Sequence, residues 1–302
     1  MNRSFPGRAP GIRIPEFRDD EGPDAVAGTA AQLAEFLNRH APVLVLTGAG
    51  CSTGSGIPAY RDAAGRWSRR QPILYPDFVS SATVRRRYWA RSFLGWPVMH
   101  EARPGPAHHG LVQLHDRALL AGLVTQNVDG LHQAAGHRNV LELHGGLQRV
   151  LCLDCGAPLD RDVLQEQLLT VNPDWAPEVL SINPDGDAEL DDAAYPGFRV
   201  VDCAACGGRL KPDVVFFGES VPTGRFEAIG AMLERAGALL VVGSSLVVGS
   251  GYRIVREARR HGLPIAAATR GRTRADALLE FNVHADCGET LHRVLDDLSP
   301  GS

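Results

Sequence analysis

The chain has 302 residues, 44% of them hydrophobic and 22% charged, with a net charge of −4 and a pI near 6.3, enough for one large domain or two lobes with a full core. That balance gives no electrostatic footprint for nucleic acid, and no run of about 18 or more apolar residues would span a bilayer, so neither partner is expected. The first two dozen residues set Glu16, Asp19, Asp20 and Glu21 among Pro and Gly, which suits a flexible extension over residues 1–27 better than a signal or transit peptide and makes a cytoplasmic address the expectation.

In chain order, the first buried strand is Val43-Leu44-Val45-Leu46, which runs into TGAGCS. Residues 66–104 are dense in Arg, Trp and Tyr at helix-like spacing. A second strand, Leu119 to Val124, enters TQNVDG, and residues 149–210 carry four of the six cysteines and a Pro/Asp-rich stretch. Ala238 to Val242 then enters GSSLVVGSG, and Pro264 to Ala268 is the last clear strand. Short continuous apolar runs that alternate with helical patterns predict an α/β fold with a parallel, Rossmann-like sheet. In such a sheet the loops at the carboxyl ends converge on one site. The two segments that break the alternation, 66–104 and 149–210, read as insertions that form a smaller lobe. The larger lobe then comes from 28–65, 105–148 and 211–298, within one domain over 28–302.

Several residues point to chemistry. Gly48 and Gly50 after a strand would let the backbone approach a pyrophosphate at a helix start, but Thr53 stands where the third glycine of a hydride-transfer fingerprint belongs and no acid follows to hold a ribose; a tight structural turn is the alternative. Cys152-x-x-Cys155 and Cys203-x-x-Cys206 match a closed four-thiolate structural zinc site in a reducing compartment, with a redox dithiol as the other reading. Cys51 reads as a small buried residue. His144 is an imidazole whose ordinary pKa suits a general base, or a capped core histidine. Gln126, Asn127 and Asp129 offer amide and carboxylate groups to a carboxamide, or else Asp129 caps the next helix. KPDVVFFGE at 211–219 is an extended apolar segment that could accept a peptide as an added strand, or a plain core strand.

Taken together, GAGCSTGSGIPAYRD, TQNVDGLH, ELHGG, KPDVVFFGE and GSSLVV resemble the sirtuins, NAD-dependent protein deacylases, in order and spacing from about residue 32 to 298. DFVSSATVRRRYWARSFLGWP, with VLCLDCG and the PDGD loop, is similar to the class II branch that includes mitochondrial sirtuin 4. The resemblance implies a Rossmann-like lobe with a smaller zinc-bearing one. It also implies NAD as a consumed co-substrate, one structural zinc, and acylated lysine in a protein or peptide as partner. The acyl oxygen attacks the ribose carbon that bears nicotinamide, and an activated ribose hydroxyl resolves the product.

It gives His144 the role of base, with Asn127 and Asp129 beside it. NAD would meet Gly48, Ala49, Gly50, Ser52, Ile57 and Pro58, then Tyr60, Arg61 and Trp67. Gln126, Asn127, Val128 and Asp129 would take its nicotinamide riboside end; Gly243, Ser244, Ser245, Thr269, Arg270, Gly271 and Cys287 its adenosine side. Val215, Phe216, Gly218 and Glu219 would line the peptide cleft. Ala59 and Gly54 depart from the family pattern, and Thr269 stands where Asn is expected, a change that weakens NAD by about 0.5–1.5 kcal/mol. Tyr88 and Arg91, one helical turn apart, would read an acid-tipped acyl chain through the guanidinium fork; an arginine-rich solvated helix is the bland alternative. A mono-ADP-ribosyltransferase and a non-catalytic NAD or ADP-ribose sensor stay open as other functions, as does the oligomeric state.

Overall fold

The computed structural model describes residues 23–57, 72–183 and 186–298. Pro58, Ala59, Tyr60, Arg61 and Trp67 lie outside the described residues, as do residues 1–22 of the expected extension.

Helix α1 (Ala30–His40) opens the described chain. Thr29 Oγ1 accepts from Gln32 N while Gln32 Oε1 accepts from Thr29 N, a reciprocal cap that satisfies two orphan donors. Strand β1 (Val43–Thr47) follows, then α2 (Tyr75–Ser80), α3 (Ala82–Glu101), α4 (Pro106–Asp116), β2 (Leu120–Thr125) and α5 (Leu131–Ala134). Next come β3 (Val140–Glu142), β4 (Gly145–Cys152), β5 (Pro158–Asp160), α6 (Arg161–Val171), β6 (Ser181–Ile182), β7 (Ala188–Glu189) and β8 (Leu210–Val214). The chain closes with α7 (Thr223–Leu233), β9 (Ala238–Val242), α8 (Gly249–Arg260), β10 (Ile265–Ala268), β11 (Phe281–Val283) and α9 (Cys287–Asp297).

Six strands form one parallel sheet in the order β11-β10-β9-β1-β2-β3. The expected α/β fold with a Rossmann-like parallel sheet is therefore present. Every residue of β1, β9 and β10 is buried, because helices cover both faces. Val43 and Val45 face α1, α4 and α9, whereas Leu44 and Leu46 face α7 and α8. The chain moves outward from β1 to β2 and β3, then returns to build β9, β10 and β11 on the other side. The order thus reverses between β1 and β9, the switch point outside which open sheets of this kind bind ligands.

A second sheet, antiparallel in the order β5-β4-β8, shares a separate core with α2, α3 and α6. Phe78, Trp89, Phe93, Val150, Leu164, Leu168, Phe198 and Phe216 are buried there. This sheet runs from Gly145 to Val214 and so reaches a few residues into the stretches assigned above to the larger lobe. Among the described residues its β8 pairs with β4 on one side only and is an edge strand. Helix α3 is held against residues 186–188 so closely that a Cβ on Gly95 would collide with the carbonyl of Gly186.

Candidate active site

A cavity of about 850 Å³ opens at the carboxyl ends of the large sheet. One wall comes from Gly48, Ala49, Gly50, Ser52 and Ile57 after β1 and from Gly243, Ser244 and Ser245 after β9. Gly50 N donates to Gly243 O at 2.8 Å, and a Cβ on Gly50 would sit 2.8 Å from the Gly243 backbone, so glycine is required where the two loops cross. Thr269, Arg270 and Gly271 after β10, with Cys287 at the start of α9, line the same side. The Cys287 thiol donates to Gly50 O at 3.2 Å and the Cys51 thiol to Val242 O at 3.4 Å, both buried. Arg270 pairs with Asp286 at 3.1 Å.

Residues 126–129 follow β2 and form the floor together with His144. Gln126 Nε2 donates to Ser244 Oγ at 2.8 Å and to Thr47 O at 3.2 Å, tying the loops after β1, β2 and β9. Asn127 Nδ2 donates to Gly48 O at 3.1 Å and to Ser52 Oγ at 3.0 Å. Ser52 Oγ in turn donates to Asp129 Oδ2 at 2.6 Å, and Asp129 Oδ1 accepts from Leu131 N at 2.9 Å. Asp129 therefore caps the turn into α5 and lines the cavity at the same time. Val128 holds the adjoining loop, its carbonyl accepting from Leu147 N at 2.9 Å.

His144 lies between β3 and β4, partly exposed toward the cavity. Its Nδ1 is 2.9 Å from Gln126 O and its Nε2 is 2.7 Å from Ser250 Oγ. A carbonyl only accepts, so Nδ1 carries the hydrogen and Nε2 presents its lone pair, to which the Ser250 hydroxyl donates. Burial lowers the imidazole pKa to about 4, outweighing the Gln126 carbonyl that favours the charged ring, and the positive charge of Arg225 adds a smaller push in the same direction as burial. The ring is neutral at pH 7, and its unprotonated Nε2 accepts from Ser250, itself a residue that lines the cavity. Ser250 was not foreseen: it stands 106 residues further along the chain.

The opposite wall is the segment after β8. Val215 N donates to His144 O at 2.8 Å, Phe216 N donates to Glu219 Oε2 at 2.9 Å, and Phe217 O accepts from Tyr75 N at 2.9 Å. Val215, Phe216, Gly218 and Glu219 all line the cavity. Tyr88 lines it too, packed edge-on against Phe78 and tilted against Phe216. Arg91, expected beside Tyr88 at the acyl terminus, is not brought to the cavity. It is 4% exposed, with Nη2 2.7 Å from Glu189 Oε1, 3.8 Å from Asp187 Oδ2, and Nε donating to Ala188 O at 3.0 Å. Residues 187–189 cover it, and the charged side chain that meets the cavity here is Asp187, another residue the sequence reading missed.

Away from the cavity, the Sγ atoms of Cys152, Cys155, Cys203 and Cys206 lie within 4.8 Å of one another, with Cys152 to Cys206 at 3.6 Å and Cys155 to Cys203 at 3.9 Å. A tetrahedral ion with Zn–S bonds of about 2.3 Å needs sulfur atoms about 3.8 Å apart, so the four thiolates fit zinc and leave no open position for substrate.

The Sir2 family model matches residues 48–250. The NAD-dependent protein deacetylase of Xanthomonas campestris pv. campestris is 52% identical over 267 residues, 88% of this chain and 91% of that protein. The NAD-dependent protein deacetylase 1 of Streptomyces coelicolor is 49% identical over 279 residues, 92% of this chain and 93% of its own length. Among solved structures, a Sir2 complex with a p53 peptide and NAD+ is 27% identical with a TM-score of 0.72, covering 88% of this chain and 97% of that one. A Sir2 bound to acetylated peptide is 26% identical, also at 0.72, covering 90% and 100%. With the Sir2 family model matching residues 48–250 and about half of the aligned residues identical to those of the two bacterial relatives, this chain belongs to the Sir2 family.

Proposed function

We propose that this protein removes acyl groups from lysine side chains of proteins, consuming NAD and releasing nicotinamide and O-acyl-ADP-ribose. The observation that carries the reading is the neutral His144, which lines the same cavity as the glycine loops after β1 and β9. NAD supplies the electrophilic ribose carbon. The phosphates lie against Gly48 to Gly50, where backbone can approach closely, with Gly243 to Ser245, Thr269 to Gly271 and Cys287 on the adenosine side. The rigidly held amides of Gln126 and Asn127 and the carboxylate of Asp129 orient the nicotinamide end, and His144 takes a proton from the ribose hydroxyl. The acylated peptide adds to the open edge of β8 and runs past Val215, Phe216, Gly218 and Glu219, recognised mainly through its backbone.

The two sheets form the lobes of one catalytic domain, and the four cysteines hold a structural zinc that supplies folding energy to the smaller lobe. Thiolate ligands that must stay reduced suit a cytoplasmic address. No helix among the described residues is long and apolar enough to cross a membrane. With Arg91 covered, α3 brings Tyr88 but no cation to the cavity, so neutral acyl chains are the substrates favoured over acid-tipped ones.

The test combines NAD with acyl-lysine peptides and identifies the products by mass spectrometry. Deacylated peptide with O-acyl-ADP-ribose is expected; a labelled acceptor would mean ADP-ribosyl transfer, and NAD binding without turnover would mean a sensor. His144→Ala should keep its fold and NAD binding while turnover falls by about 10² to 10⁴, and wild-type turnover in that variant would remove His144 from the base role.

A further inference from the structure

We propose that Ser250 relays the proton that His144 removes, so that the base reaches the ribose hydroxyl through a serine. The inference rests on His144 being the base. Ser250 is the second residue of α8, in a wall of the cavity, and its hydroxyl donates to His144 Nε2 at 2.7 Å. The tautomer is fixed from the other side, because Nδ1 must donate to Gln126 O. Nε2 has one in-plane lone pair, and Ser250 holds it. A second hydroxyl cannot donate to that lone pair at the same time, whereas Ser250 Oγ keeps lone pairs of its own on a cavity-lining residue. A ribose hydroxyl arriving at this wall meets the serine oxygen first.

The step balances without a further reactant. The ribose O–H bond breaks and its proton passes to Ser250 Oγ as the proton already on Ser250 passes to Nε2. The ribose oxygen keeps the electron pair for its attack, the serine ends as it began, and the imidazole is left protonated. Placement in the first turn of a 12-residue helix favours the arrangement: the positive end of the helix stabilises partial negative charge on the serine oxygen during transfer.

The experiment compares Ser250→Ala, Ser250→Thr and His144→Ala in two assays of the full chain with NAD and an acetyl-lysine peptide. Nicotinamide exchange into NAD reads the bond-breaking step, which precedes use of the hydroxyl; single-turnover formation of O-acetyl-ADP-ribose reads the step after it. Ser250→Ala is expected to slow product formation by about 10-fold or more, with exchange changed by less than about 2-fold. Ser250→Thr, which keeps the hydroxyl, recovers most of the rate. The proton inventory of the product-forming step in mixed H2O and D2O should be bowed for wild type and linear for Ser250→Ala. Product formation in Ser250→Ala as fast as wild type overturns the relay, since the ribose hydroxyl then displaces the serine and meets Nε2 directly. An equal loss of exchange and product formation overturns it as well, marking Ser250 as structural. If His144→Ala keeps forming product, the base assignment itself falls, a result separate from failure of the relay alone.

Discussion

Replacing Arg91 with methionine should lower stability rather than alter the choice of acyl group. Methionine keeps most of the side-chain length and apolar contact of arginine while removing its charge. Arg91 is 4% exposed, Glu189 7% and Asp187 4%, and Arg91 Nη2 lies 2.7 Å from Glu189 Oε1. Removing one partner of a buried pair costs about 3–5 kcal/mol, because the remaining charge loses its partner in a poor solvent. Asn183 Nδ2 still donates to Glu189 Oε1 at 2.7 Å, which favours the lower end of that range. At about 2 °C per kcal/mol for a chain of this size, the midpoint of thermal unfolding should drop by roughly 6–10 °C. Adding Glu189→Gln should recover part of the loss, since neighbouring charges couple in a double-mutant cycle. Thermal melts of the two single variants and the double variant measure the stability terms, and a peptide panel differing only in the acyl group measures selectivity. A melt within about 1 °C of wild type, with activity lost on acid-tipped acyl groups alone, would show that Arg91 reaches the acyl terminus and that the burial argument is wrong.

Two further outcomes follow from the histidines and the cysteine cluster. Burial lowers the pKa values of His108, His132, His137 and His144 below the ordinary 6.5, with neighbouring histidines adding to the effect on the first three and Arg225 on the fourth. The unfolded chain therefore binds more protons than the folded one between about pH 6.5 and the lowered folded values, so stability is full above pH 7 and falls as pH drops through 6.5 toward 4. Urea unfolding at pH 7.5, 6.5 and 5.5 should show that decline, and stability that holds or rises toward pH 5.5 contradicts it. Purified protein should carry about one zinc per chain, and Cys203→Ser should lose the metal and destabilise the smaller lobe; an unchanged melt after chelation, with the metal shown by elemental analysis to be gone, removes zinc from that role.

The large sheet was legible because its central strands are buried on both faces and read as unbroken apolar runs, as in Val43 to Leu46 and Ala238 to Val242. The glycine and polar loops after them had to meet, since parallel strands place their carboxyl ends on one edge. The edge strands Val140–Glu142 and Phe281–Val283 are too short to show a period and went unseen. Arg91 shows the limit of spacing arguments. A separation of three residues puts Tyr88 and Arg91 on one helical face, but what that face meets was set by residues 187–189, which are packed onto α3 through Gly95 and Gly186 about 90 residues apart. The Ser250 contact with His144 is of the same kind, joining the start of α8 to the turn between β3 and β4, with no local pattern to announce it.

Asp129 explains why helix capping and site chemistry could not be separated in the sequence. As a cap it accepts from Leu131 N through Oδ1, and as a member of the cavity floor it accepts from Ser52 Oγ through Oδ2. A carboxylate has about four acceptor positions, so these two bonds leave capacity for a ligand. They also fix the plane of the group, because Ser52 is itself held by Asn127 Nδ2 at 3.0 Å. The local folding role is therefore what makes the side chain a rigid acceptor, ordered before any carboxamide arrives and at no further entropic cost when it does. Gly50 works in the same way: the absence of a Cβ that lets the loops after β1 and β9 cross also leaves a cavity-lining residue with no side chain to hold a ligand off. At such positions a turn residue and a site residue are one physical device.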